Sequence, residues 1–241
     1  MEIVAAQSDW LRTQRSGIYR PAPRPLLTVS ITVLVGIVIL AVGLLLTSHP
    51  VDLAAVVGLN KIHTGAWALF ADAVYVGLGP VPAVLLTVVI AGIVWSVSRS
   101  FVTAISFGLV VALTWLPVAV IKVIVDRPRP EVSALTHAFV PAQVDGSYPS
   151  GHTAYVVALA CALWFLLRDT RWQWLAVALG IIATAVVGVA VVSDGLHYPT
   201  DVLASIAWAL AMAPTARLIV VDAGVGWLRR RQNRLSASPL D

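Results

Sequence analysis

The chain has 241 residues, of which 59% are hydrophobic and only 12% are charged, and its mean hydropathy is +0.89. Soluble domains carry about 25% charged residues, so this composition excludes an ordinary soluble domain and predicts an integral membrane protein. The formal net charge is +4. The single cysteine, Cys161, excludes an intrachain disulfide and a cysteine-based metal cluster.

Six apolar segments follow one another along the chain, and each approaches the ~20 residues that a helix needs to cross a bilayer. They predict an all-α integral membrane protein with six transmembrane helices in one domain. A short turn around Arg99 separates the second segment from the third, which predicts a helical hairpin. The predicted spans cover residues 26–47, 74–97, 101–125, 153–167, 172–192 and 200–221, between an N-terminal segment at 1–25 and a basic tail at 222–241.

The orientation follows from the lysines and arginines of the loops, which concentrate on the cytoplasmic side of membrane proteins. One side of the predicted bundle carries many more of them, so both termini are predicted to be cytoplasmic. Loops 48–73, 126–152 and 193–199 then face outward, and the first has the mixed pattern of a short amphipathic helix. The cation-rich side carries Arg12, Arg15, Arg20, Arg24, Arg99, Arg168, Arg171, Arg229, Arg230, Arg231 and Arg234, whereas the other side carries Lys61, Lys122, Arg127 and Arg129.

Polar residues gather at the outer ends of three predicted spans, where ionisable groups are costly and usually functional. Lys122 and Arg129 lie at the end of the third span. Two cations directed at one point repel each other unless an anion lies between them, and a phosphate suits this pair. The alternative is a pair of interfacial cations whose long side chains reach the headgroups.

The fourth span begins with the sequence Pro149-Ser150-Gly151-His152. Ser150 is predicted to cap the helix, and Gly151 allows close approach to the backbone. The amides and positive dipole of a helix N-terminus bind anions, and His152 would lie beside such an anion as a proton donor. The alternative is a capped helix with an ordinary loop histidine.

His197 and Asp201 are four residues apart at the start of the sixth span, where Pro199 suits the first helical turn. This spacing allows the carboxylate to orient the imidazole as a nucleophile. The alternative is a purely structural His–Asp pair.

The remaining histidines, His49, His63 and His137, have no comparable partners nearby in sequence and are expected to be loop residues. The chain has no HExxH motif, no cysteine cluster and no close group of carboxylates in sequence, so a metal site is not expected.

These stretches resemble the three motifs of the type 2 phosphatidic acid phosphatase superfamily, K-x6-R-P, P-S-G-H and S-R-x5-H-x3-D. The first corresponds to Lys122 through Pro130, the second to Pro149 through His152, and the end of the third to His197 and Asp201. The order, the spacing and the six-span plan agree, so the resemblance covers most of residues 26–221.

The resemblance implies a six-helix bundle that hydrolyses a lipid phosphate monoester or diphosphate at the outer membrane face. The lipid would be a polyprenyl phosphate or diphosphate, phosphatidylglycerophosphate or phosphatidic acid. It implies no metal, no cofactor and no nucleic acid, and it leaves the oligomeric state open. His197 would attack phosphorus to form a phosphohistidine, Asp201 would orient it, His152 would protonate the leaving oxygen, and Lys122, Arg129, Ser150 and Gly151 would hold the phosphoryl oxygens.

The third motif departs from the family pattern, because Ala190 and Val191 stand where the family has Ser-Arg. Loss of one preorganised donor typically lowers a rate by about two orders of magnitude. Three hypotheses therefore remain: Arg127 compensates, Asp194 marks a substrate with its own cationic or hydroxylated group, or the protein is a slow or inactive member that binds a lipid phosphate. A transporter is a further alternative, but the chain shows no repeated halves.

Overall fold

The computed structural model describes residues 17–227, and these form α-helices joined by loops, with no β-strand among them. The all-α class predicted from the sequence is confirmed. The helices are α1 (Pro25–Ser48), α2 (Leu53–Asn60), α3 (Gly65–Gly77), α4 (Pro80–Ser98), α5 (Phe101–Trp115), α6 (Pro117–Val125), α7 (Gly151–Leu167), α8 (Gln173–Ser193) and α9 (Pro199–Arg217), with a π-helix at Leu218–Val225 and 3-10 turns at Gly17–Tyr19 and Val132–Ala134.

Five helical segments of the described chain are long and apolar enough to cross a membrane: α1, α4, α5 with α6, α8, and α9 with the π-helix. The predicted fourth span, α7, has 17 residues. Its length of about 26 Å falls short of the ~30 Å hydrocarbon core. α7 packs against α5, α8 and α9.

The main hydrophobic core lies where α5, α7, α8 and α9 meet, and Phe107, Tyr155 and Val191 are fully buried in it. Pro117 divides the predicted third span into α5 and α6, because proline lacks the amide that continues the helical ladder. The indole of Trp208 donates a hydrogen bond of 2.9 Å to the Thr114 carbonyl beside this break. A side chain of the neighbouring helix α9 thus provides a hydrogen bond to a backbone carbonyl at the break. Such a partner is needed because the hydrocarbon core contains no water to replace it.

The first outer loop differs from the single short helix that its pattern suggests. It contains two helices, α2 and α3, and both pack against α8. The span predicted to start at residue 74 begins instead at Pro80, because the Gly79-Pro80 junction ends the preceding helix. The first outer loop is therefore an ordered part of the bundle end that carries the three sequence motifs.

The opposite end of the bundle is tied together by arginines. Arg168 Nε donates a hydrogen bond of 2.6 Å to the Gly17 carbonyl, and Arg217 Nε donates one of 2.8 Å to the Ile18 carbonyl. Ile18 is fully buried, so residues 17–24 are docked on the bundle. The last helix continues to Val225 as a π-helix, beyond the predicted end at 221. The remaining cations of the topology prediction, Arg12, Arg15, Arg229, Arg230, Arg231 and Arg234, lie outside the described residues.

Candidate active site

The three motifs meet at one end of the bundle, although they are far apart in sequence. The Ser150 amide donates a hydrogen bond of 3.3 Å to the Asp201 carbonyl, which joins the beginnings of α7 and α9. Arg129 Nη1 donates one of 2.7 Å to the Leu196 carbonyl, which joins the loop after α6 to the loop before α9. The fold thus assembles one site from the residues that the sequence singled out.

His197 lies in the tight connection between α8 and α9. Gly195 adopts a φ of +75° there, a left-handed conformation that favours glycine. The His197 amide donates a hydrogen bond of 3.1 Å to the Val191 carbonyl, so the backbone is fixed on both sides of the turn. The imidazole is fully buried.

Asp201 determines which nitrogen of His197 is free. Asp201 Oδ2 lies 3.3 Å from Nδ1 of His197 and also accepts a hydrogen bond of 2.9 Å from the Tyr198 amide. A carboxylate only accepts, so the ring proton belongs on Nδ1 and Nε2 carries a lone pair. Nε2 is buried and has no hydrogen-bond partner among residues 17–227. An oriented imidazole with a free lone pair is the form that a nucleophile requires.

The electrostatic surroundings keep His197 neutral. Burial lowers the pKa of His197 most, the hydrogen bond with Asp201 raises it, and the positive charges of Arg129 and Lys122 lower it further, to about 3. Its pKa is therefore far below the ordinary value, and the imidazole remains unprotonated near neutral pH.

His152 is oriented by the first outer loop. Its Nε2 donates a hydrogen bond of 2.9 Å to the Tyr75 carbonyl, in the last turn of α3, and the two rings stack with centroids 4.4 Å apart. A carbonyl only accepts, so Nε2 carries a proton and Nδ1 is the atom left for proton transfer.

Ser150 is the N-cap of α7, as predicted, and its hydroxyl accepts a hydrogen bond of 3.4 Å from the Thr153 amide. A Cβ added to Gly151 would meet no atom within 4 Å. The helix N-terminus is therefore open on that side, and its first amides have no partner within the helix. This geometry suits an anion.

An anion does lie between Lys122 and Arg129, and it is the side chain of Asp145. The Asp145 carboxylate is 2.9 Å from Lys122 Nζ and 2.8 Å from Arg129 Nη2, and its backbone carbonyl accepts a hydrogen bond of 3.0 Å from Arg129 Nε. Gly146 permits this approach, because a Cβ there would lie 3.3 Å from the Asp126 Cα.

The two cations keep this carboxylate ionised. Partial burial raises the pKa of Asp145, but Lys122 and Arg129 outweigh that effect and lower it to about 2. Asp145 is thus charged throughout the neutral and mildly acidic range.

Arg127 is not directed at the phosphate site. Its side chain is only 1% exposed and lies 2.7 Å from Asp201 Oδ1 and 2.8 Å from Asp52 Oδ1, with its guanidinium 3.7 Å above the Tyr198 ring. Burial raises the pKa of Asp52, but hydrogen bonds from Thr200 and Arg127 outweigh it, so the net shift is downward. The guanidinium is committed to two carboxylates, and the compensation suggested for the missing third-motif arginine does not follow from this arrangement.

Val191 also provides no cation for the site. Its side chain is fully buried in the apolar core, while its carbonyl accepts hydrogen bonds from the amides of Leu196 and His197. The residue at the position of the missing arginine therefore supports the backbone of the loop that carries His197 and contributes no charge.

Asp194 lies with His63 and Asp72. His63 Nε2 is 3.0 Å from Asp72 Oδ1 and 3.3 Å from Asp194 Oδ1. Burial raises the pKa of Asp194, whereas His63 lowers it, and the result is about 7. The expectation that His63 is a loop residue without partners was wrong, because Asp72 of α3 and Asp194 at the end of α8 meet it only in the folded bundle.

Sequence reasoning missed Asp52, Asp145 and Tyr75 as members of the site. For the two aspartates a signal exists: they are anions of the predicted outer loops, on the same membrane face as Lys122, Arg127 and Arg129, whose charges must be compensated when they are brought together. Tyr75 acts through its carbonyl, and no residue type marks such a role.

Comparisons with known proteins identify the family of this chain. The PAP2 superfamily matches residues 103–224. The undecaprenyl-diphosphatase BcrC of Bacillus subtilis is 33% identical over 90 residues, covering 37% of this chain and 44% of that protein. An undecaprenyl-diphosphatase of Sulfolobus acidocaldarius is 41% identical over 69 residues, covering 29% of this chain and 31% of that protein. The chain thus spans less than half the length of the curated relatives that it matches.

A solved structure supports the fold. The crystal structure of a transmembrane PAP2 type phosphatidylglycerolphosphate phosphatase from Bacillus subtilis superimposes with a TM-score of 0.60, covering 83% of this chain and 96% of that one. The sequence identity is 17%, so this likeness concerns the fold alone.

Proposed function

Because this chain belongs to the PAP2 superfamily, we propose that it is a membrane lipid phosphatase that hydrolyses a lipid phosphate monoester or diphosphate through a phosphohistidine. The observation that carries the proposal is the buried, unpartnered Nε2 of His197, whose ring is held by Asp201 and whose pKa is lowered by burial and, to a smaller extent, by Arg129 and Lys122. Phosphoryl transfer depends mainly on positioning and charge stabilisation, and these residues supply both.

In the first step, the Nε2 lone pair of His197 attacks phosphorus. The bond from phosphorus to the leaving oxygen breaks, and that oxygen receives the Nδ1 proton that His152 takes up from solvent when the anionic substrate binds. Lys122, Arg129, Ser150 and the Gly151 amide bind the phosphoryl oxygens. The products are a phosphohistidine and a lipid that carries one phosphoryl group fewer.

In the second step, His152 takes a proton from water as the water oxygen attacks phosphorus. The nitrogen–phosphorus bond breaks, inorganic phosphate leaves, and both histidines return to their starting states. Every step is assigned to protein side chains, and none of them uses a metal ion.

The proposed lipid is a polyprenyl phosphate or diphosphate, with phosphatidylglycerophosphate and phosphatidic acid as alternatives. Two relatives are named undecaprenyl-diphosphatases. An apolar groove of about 790 Å³ runs between α7, α8 and α9, from Val192 and Pro199 beside the His197 loop to Pro214. Such a groove suits a long hydrocarbon chain whose headgroup lies at the site.

We propose that the site faces the extracytoplasmic side and that both termini are cytoplasmic. Arg20, Arg168 and Arg217 lie at the bundle end opposite the site, together with the docked residues 17–24. This placement agrees with the excess of arginine expected on the cytoplasmic side.

Phosphate release from a panel of lipid monophosphates and diphosphates tests the proposal, using the purified full chain in detergent. We expect release from at least one polyprenyl substrate. We also expect that a substrate carrying radioactive phosphorus labels the protein. This label should be lost in acid and retained in alkali, as the phosphoryl group of a phosphohistidine is. Release without any such label, or no release from any lipid phosphate, would contradict the proposal.

Replacement of Asp145 by asparagine is expected to strengthen inhibition by inorganic phosphate several-fold. The carboxylate occupies the two cations that phosphate must bind, so removing its charge removes a competitor. The inhibition constant is measured by steady-state kinetics, with the exposed Asp126→Asn as the matched control on the same loop. Weaker inhibition in Asp145→Asn would show that Asp145 assists binding rather than competing with it.

The alternative is a low-activity member that binds a lipid phosphate, because Val191 replaces the third-motif arginine. We expect Val191→Arg to lower thermal stability and yield without raising activity, since it places an unpaired charge in the apolar core. Val191→Leu is the control for added size. A rise from negligible to measurable turnover in Val191→Arg would favour the alternative.

A further inference from the structure

Three metal-ligating side chains converge outside the proposed phosphoryl-transfer residues. His63, between α2 and α3, lies close to Asp72 of α3 and to Asp194 at the end of α8, and one ligand atom from each lies within 4.8 Å of the other two. His63 is 6% exposed and Asp194 is fully buried, while Asp72 is 41% exposed and opens the cluster to solvent. The cluster therefore has buried ligands and an accessible side.

His63 Nε2 lies within hydrogen-bond distance of Asp72 Oδ1, at 3.0 Å, and 3.3 Å from Asp194 Oδ1, so in the neutral ring its lone pair faces both carboxylates. Nδ1 of the same ring lies 2.6 Å from the His137 carbonyl, which can only accept, so the ring proton belongs on Nδ1. Nε2 of the neutral ring then faces Asp72 and Asp194 as a third acceptor. A histidine whose far nitrogen donates to a backbone carbonyl is the usual arrangement of a metal ligand.

Asp194 lacks the partners that a buried carboxylate normally has. Both of its side-chain oxygens are buried without a hydrogen-bond partner among residues 17–227, and the 3.3 Å approach to His63 does not form a hydrogen bond. The surrounding polar groups are satisfied: the Asn60 amide bonds to Ser193 and to both backbone groups of His137. The deficit is thus confined to one carboxylate directed into the cluster.

A divalent cation corrects this deficit better than a proton does. A proton satisfies a single oxygen of Asp194, whereas a divalent cation with neutral His63 binds Asp194 and Asp72 together and balances the charge of both carboxylates. Metal–ligand bonds of about 2.0–2.2 Å place neighbouring tetrahedral ligand atoms about 3.3–3.6 Å apart, and His63 Nε2 lies 3.0 Å and 3.3 Å from the two carboxylates. A mixed imidazole and carboxylate set suits transition metals better than Ca²⁺ or Mg²⁺.

We propose that His63, Asp72 and Asp194 bind one divalent transition-metal ion, of the Zn²⁺ or Mn²⁺ class. The ion joins the first outer loop to the end of α8, three residues before His197. The Asp194 carbonyl also accepts a hydrogen bond of 3.0 Å from the Phe139 amide, so the second outer loop is held at the same point. The ion stabilises the loops around the active site and takes no part in phosphoryl transfer.

The test uses the purified full chain, freed of metal with a chelator and then titrated with Zn²⁺ or Mn²⁺. We expect about one ion per chain after desalting, measured by elemental mass spectrometry, and a rise of several degrees in the thermal unfolding midpoint. Asp194→Asn and Asp72→Asn are expected to weaken binding at least tenfold. Asp72 is partly exposed, so its variant reports on binding even where Asp194→Asn fails to fold.

Two controls separate this site from other effects. Asp126→Asn removes an exposed carboxylate of the second outer loop and is expected to bind metal as the unaltered chain does. His197→Ala is expected to lose phosphatase activity and to bind the metal as the unaltered chain does. The two proposals therefore fail separately: absence of phosphatase activity would not affect the metal site, and absence of metal would not affect the phosphatase chemistry. Absence of stoichiometric metal, or binding that is insensitive to Asp72→Asn, would overturn the proposal.

Discussion

Replacement of His197 by alanine is expected to reduce phosphate release at least about 10⁴-fold, because the nucleophile of a covalent mechanism has no substitute in the site. Nε2 of His197 is the buried imidazole nitrogen without a hydrogen-bond partner in the described chain. Its loss also removes the atom that becomes phosphorylated. Phosphate release and acid-labile labelling are both expected to disappear.

His49→Ala is the matched control, since His49 is an exposed histidine just after α1 and outside the site. Its variant is expected to retain the full rate. The thermal unfolding midpoint of both variants is measured to exclude unfolding as the cause. Residual labelling of His197→Ala at the unaltered rate would assign the nucleophile elsewhere and contradict the proposed chemistry.

Replacement of Arg127 by methionine is expected to destabilise the protein by about 3–5 kcal/mol, because it leaves buried carboxylates without their cation. Arg127 lies within 2.8 Å of Asp52 and Asp201, and its side chain is 1% exposed. Asp201 orients His197, so activity is expected to fall together with stability. Thermal unfolding in detergent and phosphate release measure the two effects.

Arg20→Met provides the comparison with an exposed ion pair. Arg20 is 3.0 Å from Asp169, but the two side chains are 65% and 52% exposed. Exposed pairs typically contribute about 0–1 kcal/mol, so this variant is expected to unfold close to the unaltered midpoint. Equal decreases of the unfolding midpoint in Arg127→Met and Arg20→Met would show that burial does not determine how much these ion pairs contribute to stability.

Local spacing made part of the site predictable. Ser150 at a helix start and the pair of His197 and Asp201 four residues apart require only a correct helix boundary, and the structure places them accordingly. The need for an anion between Lys122 and Arg129 followed from charge repulsion alone. Elementary electrostatics thus predicted an anion, and a phosphate was the expected one, whereas the structure has the Asp145 carboxylate between the two cations.

The long-range pairs were not predictable in this way. Asp145 reaches Lys122, Asp52 reaches Arg127 and Asp194 reaches His63 through loops whose path no periodicity determines. The hydropathy pattern also did not predict that the first outer loop divides into α2 and α3. The two helices pack on α8, so their apolar residues do not follow the pattern of one amphipathic surface helix. Loop contacts depend on how the helices assemble, and this arrangement cannot be deduced from the local patterns of one sequence.

The carboxylate of Asp145 has a kinetic consequence for the proposed turnover. After hydrolysis, inorganic phosphate held by Lys122 and Arg129 faces a tethered anion that re-forms the ion pairs as the product departs. Substrate capture is likewise an exchange of one anion for another, with little change in net charge at the two cations. Asp145 is therefore expected to assist product release. The affinity for the headgroup is also expected to depend less on ionic strength than it would if Lys122 and Arg129 had no carboxylate between them.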